Sequence, residues 1–168
     1  MNKNILIIGD GYIGRKLSKA LNARLSAKRV RVYEDVEGLV KKYRPKILIN
    51  TIGHVGKSNV DDCEKAVDKT LNANTFVPIL MAEVALRYNI KLVHISSGCI
   101  YHYKYGHQKP ILENRNPDYY DLFYSRTKIY TEDALLRLAR KKNMVNILIV
   151  RIRVPLDNEP NPKNLLTK

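Results

Sequence analysis

The sequence predicts an α/β protein, a doubly wound parallel sheet with helices on both faces, and three observations point there. Apolar runs of strand length alternate with longer segments of helical period from the N-terminus to residue 151, the order that lays a parallel sheet between covering helices. The chain has 168 residues, 45% of them hydrophobic, which suits one core and is short for two. Its first apolar run, ILIIG (5–9), leads directly into the glycine-rich turn GDGYIG.

Taken in order, strands are expected at ILIIG (5–9), ARLS (23–26), RVRVY (29–33), KILIN (46–50), IKLVHIS (90–96) and VNILIVR (145–151). Helices are expected at about 12–21, 35–43, 62–88 and 119–142, the third with a break considered near Pro78. In the first helix Ile13, Leu17, Ala20 and Leu21 form the inward stripe. The stretch from Tyr103 to Asp118 has little periodicity and several turn formers, so a long loop is expected there. From Arg151 the chain reads RIRVPLDNEPNPKNLLTK, rich in Pro and Asn, without a further clear element.

Composition narrows the class. No apolar run approaches the eighteen or so residues of a membrane span, and MNKNILIIGDG passes into glycines without a small-residue cleavage site. The expectation is a soluble, cytoplasmic protein with no membrane partner. Cys63 and Cys99 come without a CxxC or clustered histidines, so free thiols are expected, with neither a disulfide framework nor a metal site. The formal charge of +14 points to phosphate-bearing partners, either nucleic acid or a nucleotide ligand. That charge is dispersed. Its densest runs, RLARKK (137–142) and KKYR (41–44), fall near helix ends, where cations meet the dipole favourably. With no nucleic-acid motif beside them, a solvated face is the preferred reading over a nucleic-acid surface.

Gly9, Gly11 and Gly14 stand in GxGxxG spacing after a strand, with Tyr12 and Ile13 between the last two, opening an amphipathic helix. Glycine permits the tight turn and the close approach of a pyrophosphate, and the helix N-terminus supplies oriented N–H groups. A dinucleotide-binding, Rossmann-like sheet is therefore expected. An NAD site ordinarily places an acidic residue at the end of the second strand, but here the segment reads LSAKRV (25–30). Ser26, Lys28 and Arg29 suit a 2′-phosphate, which favours NADP(H) over NAD(H). Tyr124 and Lys128 are four residues apart, on one face of the last helix. A tyrosine near pKa 10 is a poor acid–base group at neutral pH, and a neighbouring ammonium lowers that value. Ser97 and Cys99, two apart at a strand end, face one side of the crevice beyond the sheet's carboxyl edge. For Cys99, packing as a small hydrophobe is the competing reading.

The glycine turn, SSGCIY (96–101) and YSRTK (124–128), in this order and spacing, resemble the extended short-chain dehydrogenase/reductase family. Within it, RPKILINTIGHVGKSNVDDCE (44–64), SSGCIY and RVPLDNEPNPKNLLTK (153–168) look most like the nucleotide-rhamnose epimerase/reductases, relatives of dTDP-4-dehydrorhamnose reductase. The resemblance covers nearly the whole chain. It implies that Ser97 hydrogen-bonds a sugar carbonyl, Tyr124 donates the proton to that oxygen, and Lys128 binds the nicotinamide ribose and tunes Tyr124. It further implies that the hydride comes from NADPH and that the substrate is a nucleotide-linked 4-keto-6-deoxyhexose. In the members that also epimerise, a cysteine and a lysine act as acid and base beside the ketone, and Cys99 and Lys168 match them. Asn50, Thr51, Ile52 and Gly53 match a strand end that lies along the cofactor, Asn74 a helix asparagine supporting the site, and His54, Gly56 and Lys57 a substrate-side loop. Two departures accompany the match. The glycine turn is one residue shorter than the family's GxxGxxG, and family members continue for over a hundred residues beyond this point. Residues 1–168 are thus expected to form one NAD(P)-binding Rossmann-like domain, 152–168 beginning a substrate-binding lobe that is largely absent. The expected activity is NADPH-dependent reduction, with 3,5-epimerisation considered, giving a deoxysugar nucleotide such as UDP- or dTDP-L-rhamnose. The alternative is a non-catalytic NADP-binding module or subunit; assembly into a homo-oligomer is left open.

Overall fold

The structure is a computed structural model and describes residues 1–57, 59–104, 106, 109–141 and 146–160. Five parallel strands, β1 (Asn2–Ile8), β2 (Ala23–Ser26), β3 (Ile47–Asn50), β4 (Lys91–Ser97) and β5 (Ile147–Ile152), form a single sheet in the order β2-β1-β3-β4-β5. Leu6, Ile7 and Ile8 are consecutive and fully buried, as a strand covered on both faces requires. The register aligns Ser26, Ile8, Asn50, His94 and Ile149 in one row across the sheet. Everything that follows those residues emerges at one edge. The order reverses between β1 and β3, and the crevice outside that reversal is where open α/β sheets bind ligands.

One face packs against α2 (Tyr33–Tyr43), α4 (Val77–Arg87) and α5 (Phe123–Lys141). Its core joins Leu6, Ile8, Leu48 and Leu92 to Val36, Val40, Met81, Val84 and Leu135. The other face carries Ile7, Ala23 and Ile49, with Leu17 of α1 (Tyr12–Ala20) packed beside them. The parallel sheet with helices is thus as the sequence predicts.

Several boundaries differ, each for a physical reason. RVRVY (29–33) is not a strand: its alternation seats Val30 in the core while Val32 is the exposed N-cap of α2. Asp35 Oδ2 accepts the N–H groups of Arg31 and Val32 at 2.9 and 3.3 Å, so a carboxylate satisfies this backbone where a ladder would have. Ala20 and Leu21 are exposed, leaving the inward side of α1 to Leu17 and the half-buried Ile13. Segment 62–88 divides into a 3₁₀ turn (Val60–Lys65), α3 (Val67–Leu71), a π-helical turn (Asn72–Phe76) and α4. Pro78 lies at the start of α4 and has no N–H to give the Asn74 carbonyl four residues back. The Thr131 hydroxyl of α5 lies 2.6 Å from that carbonyl oxygen, so the break is mended from a neighbouring helix. The last helix begins at Phe123 rather than 119. Among the described residues of 103–118 there is no helix or strand, as expected.

Candidate active site

The glycine turn follows β1. Gly9 has φ +114°, and a Cβ there would come within 2.7 Å of Thr51 Oγ1; at Gly14 a Cβ would meet the Gly9 carbonyl oxygen at 1.8 Å. Both must be glycine for the helix to start so close to the strand. Gly11, the N-cap of α1, differs: a Cβ there would meet nothing within 4 Å, and no side chain caps the helix. That leaves an open cradle of backbone N–H groups, which fits a dinucleotide pyrophosphate. Thr51 Oγ1 braces the turn from β3, 3.1 Å from the Ile8 carbonyl oxygen and 2.8 Å from that of Gly9. Tyr12 and Ile13 of the cradle are half-buried. Beyond β2, Ser26 Oγ accepts the Lys28 N–H at 3.2 Å, while Lys28 and Arg29 are exposed. Lys28 Nζ also pairs with Asp35 at 3.1 Å.

After β3, Asn50 has no solvent exposure. Its Oδ1 accepts the Ile52 N–H at 2.9 Å and its Nδ2 meets His94 Nδ1 at 3.0 Å, so its side chain shapes the strand end and turns Thr51, Ile52 and Gly53 toward the crevice. Asn74, in the π-helical turn, grips the next residue of that segment from both sides: its Oδ1 accepts the His54 N–H at 2.7 Å and its Nδ2 donates to the His54 carbonyl at 3.0 Å. His54 Nδ1 lies 2.9 Å from the Thr70 hydroxyl and 3.7 Å from Cys63 Sγ. Gly56, with φ +74°, closes a turn in which a Cβ would strike the Asn59 carbonyl at 1.9 Å; Lys57 is exposed beside it.

The helix α5 presents an unusually polar buried face. Tyr124, Ser125, Thr127, Lys128, Thr131 and Glu132 are all buried, Lys128 at 3% exposure. Each needs a partner. Ser125 Oγ donates to the Cys99 carbonyl at 2.6 Å and Thr127 Oγ1 lies 3.3 Å from Asn74 Nδ2. Tyr124 is in hydrogen-bond reach of Ser97, whose Oγ accepts the Cys99 N–H at 3.1 Å. Lys128 Nζ lies 6.0 Å from the centre of the Tyr124 ring, and a Cβ on Gly53 would be 3.5 Å from it. The structure therefore brings Ser97, Cys99, Tyr124 and Lys128 together below the β3 strand end, with Gly53 and Asn74 against them. Lys168, the sequence's partner for Cys99, lies outside the described residues.

Burial sets the electrostatics. It pushes the Tyr124 hydroxyl up to about 12, against the pull of the Ser97 hydrogen bond, so Tyr124 carries its proton at neutral pH. Burial also draws Lys128 down to about 8, with the Glu132 carboxylate opposing it. His94, beneath them in β4, falls to about 3, first through burial and then through the Lys128 charge. Burial raises the Cys63 thiol as well.

Sequence reasoning missed the residues that brace this floor. Glu132 Oε2 accepts two hydrogen bonds from Arg151 of β5, from Nε at 2.9 Å and Nη2 at 2.7 Å, and Oε1 accepts from Ser96 Oγ at 2.5 Å. Arg151 also hydrogen-bonds the Tyr101 hydroxyl and, at 3.0 Å, the Glu113 carbonyl. The signal was present as Tyr124, Lys128 and Glu132 at successive spacings of four. Residues after β5 return to α1, where Asp157 accepts from Tyr12 at 2.8 Å and pairs with Lys16 at 2.7 Å. Those two bonds hold its carboxyl down at about 2. A separate hollow lined by Val40, Arg44, Pro45, Tyr88 and Ile90 lies at the opposite end of the sheet and takes no part in this site.

Comparison with known proteins bears on the fold and the family. The bifunctional dTDP-4-dehydrorhamnose 3,5-epimerase/dTDP-4-dehydrorhamnose reductase of Arabidopsis thaliana is 28% identical over 98% of this chain and 56% of its own length. The L780 UDP-rhamnose synthase of Acanthamoeba polyphaga mimivirus superposes with a TM-score of 0.84 at 24% identity, covering 97% of this chain and 60% of that one. The dTDP-4-dehydrorhamnose reductase of Bacillus anthracis, solved with NADP, gives a TM-score of 0.76 at 22% identity, with 96% and 57% covered. The chain thus spans somewhat over half the length of these relatives, and the solved structures share its Rossmann-like fold. The family profile described as the RmlD substrate binding domain matches residues 3–167, and the chain belongs to that family.

Proposed function

We propose that this chain reduces the ketone of a nucleotide-linked 4-keto-6-deoxyhexose, giving a deoxysugar nucleotide such as UDP- or dTDP-L-rhamnose. The observation that carries the reading is the convergence of Ser97, Tyr124 and Lys128, all buried, beside an open glycine cradle. The relatives' names, which are those of rhamnose-forming reductases, support the same substrate class.

NADPH supplies the hydride when bound. Gly9, Gly11 and Gly14 with the α1 N-terminus would hold the pyrophosphate, with Tyr12, Ile13, Thr51, Ile52 and Gly53 as the further residues that would contact the cofactor. Exposed Lys28 and Arg29 and the Ser26 hydroxyl at the end of β2, a strand end without a carboxylate, support a preference for NADP(H) over NAD(H). Ser97 orients the ketone oxygen, and Tyr124, protonated at neutral pH, gives that oxygen its proton as it gains negative charge. Lys128, as an ammonium, steadies the phenolate left behind. His54, Gly56 and Lys57 form the substrate-side rim, and residues 152–168 begin the substrate-binding portion.

Epimerisation beside the ketone is a second reading, favoured by one observation. Cys99 is half-exposed and fixed through its N–H and carbonyl to Ser97 and Ser125, whereas Cys63 is sealed. Solvent deuterium entering carbons 3 and 5 of the sugar, and lost in Cys99→Ala, is the expected result; undiminished exchange in that variant assigns Cys99 to packing.

The reductase reading is tested by following the nicotinamide absorbance of NADPH with UDP- or dTDP-linked 4-keto-6-deoxyglucose and with its 3,5-epimer, 4-keto-L-rhamnose, and identifying the sugar product. Oxidation with stoichiometric 4-alcohol is expected. Binding of NADPH without oxidation by any of these ketones would overturn it and leave a cofactor-binding module.

A further inference from the structure

We infer that Glu132, held by Arg151 and Ser96, is a positioning residue for the carbonyl-reducing centre and acts on it through Lys128. The inference rests on the reductase reading above. A carboxylate buried to 2% exposure costs desolvation that its ion pair only partly repays, so a buried pair is weak support for stability as such. Its placement is more informative. Glu132 follows Lys128 by four residues on α5, which stacks the two side chains on one helix face. It is fixed there from two other elements, by the two-pronged Arg151 contact from β5 and the Ser96 hydroxyl from β4. Ser96 is the immediate neighbour of Ser97, so one carboxylate is tied to both the strand that carries the ketone's hydrogen-bond partner and the helix that carries the proton donor.

The groups facing Lys128 show why a carboxylate is needed. Tyr124 shares its helix, His94 lies below it in β4, Cys63 approaches from the 3₁₀ turn, and Gly53 and Asn74 close the remaining side. Tyr124, His94 and Cys63 are neutral in this setting, given the burial that opposes their ionisation. Glu132 is then the one anion among these neighbours. Burial favours the uncharged amine, and the Glu132 carboxylate works against that. Arg151 holds Glu132 through Oε2, which fixes the carboxylate in place.

The test is an NMR titration of the Lys128 side chain in protein carrying ¹³C-labelled lysine, with Lys128→Met to identify the signal. It is run on the wild type, Glu132→Gln, Glu132→Asp and the double variant E132Q/R151M. The double variant removes both buried charges, avoiding the strong destabilisation that follows from stranding one of them. The Lys128 midpoint is expected to fall by roughly one pH unit in E132Q and in the double variant, and E132D is expected to stay nearer the wild type. The alkaline limb of NADPH oxidation moves to lower pH by the same amount. A carboxylate with a purely structural role would leave both unmoved. An unchanged Lys128 midpoint in E132Q and in the double variant overturns the inference. If the midpoint moves but the wild type reduces no 4-keto sugar, the coupling is supported and it is the reductase reading that falls.

Discussion

At the floor of the site Asn74, His94, Tyr124, Lys128 and Glu132 are nearly sealed from solvent, whereas at its rim Lys28, Arg29 and Lys57 stand exposed. The floor carries charge and hydroxyls where burying them is costly; Asn74, Tyr124 and Glu132 are hydrogen-bonded from other elements, while His94 Nε2 has no hydrogen-bond partner among the described residues. The rim carries its charge in water, where it is cheap, screened by salt and worth little until a ligand arrives. On the proposed reading the floor would do chemistry at the expense of stability, and the rim would adjust affinity alone.

The largest expected break of this contrast is at Tyr124. Replacing it with Phe keeps the ring and removes the proton donor; ketone reduction should fall by about 10²- to 10⁴-fold, with NADPH binding retained in a fluorescence titration. Lys128→Met comes next and should separate function from stability. The Lys128 pKa is about 8 in the folded chain and near 10.4 when unfolded, so the unfolded state binds more protons between those values. Stability thus rises with pH through that window, and below it the buried lysine is a standing cost. The variant should lose reductase activity yet gain on the order of 3 kcal/mol near pH 7, a gain that shrinks as pH rises from 8 to above 10, read by denaturant melts across pH.

His94 tests the floor from the acid side. Its folded value of about 3 lies below the ordinary 6.5, so the unfolded state takes up a proton first and stability is lost as pH falls through that interval. His94→Gln, which can still accept from Asn50, should show a shallower loss between pH 6.5 and 3 than the wild type in parallel melts. The smallest effect belongs to the rim. Arg29→Ala is expected to weaken NADPH roughly tenfold, about 1.4 kcal/mol, leave NADH nearly unchanged and reduce the salt dependence of NADPH binding. Equal weakening of both cofactors would remove Arg29 from 2′-phosphate recognition.

The same contrast explains what the sequence disclosed. Alternating apolar runs and the Gly9–Gly14 turn announced the sheet and its cradle because period and glycine spacing are local. Ser97, Tyr124 and Lys128 were legible as strand-end and helix-face positions. RVRVY misled because alternation records only that Val30 is inward, and Asp35 rather than a neighbouring strand satisfies the backbone there. The break before Pro78 was anticipated in place, but the hydroxyl that repairs it, Thr131, lies 57 residues along the chain from the Asn74 carbonyl it satisfies. Arg151 read as one residue of an apolar strand, and its pairing with Glu132 is set by β5 lying beside β4. Such contacts are fixed by topology and leave little trace in local pattern.

On the proposed reading Tyr124 protonates a ketone oxygen while hydride arrives from NADPH. The most direct measurement of this step is a single-turnover transfer from NADPH deuterated at its transferring position to UDP-4-keto-6-deoxyglucose, with product analysed for deuterium at carbon 4, in the wild type and in Tyr124→Phe. Deuterium at carbon 4 in the wild type, with a rate at least 10²-fold lower in Tyr124→Phe, is the predicted result. Equal rates in the two proteins would contradict it.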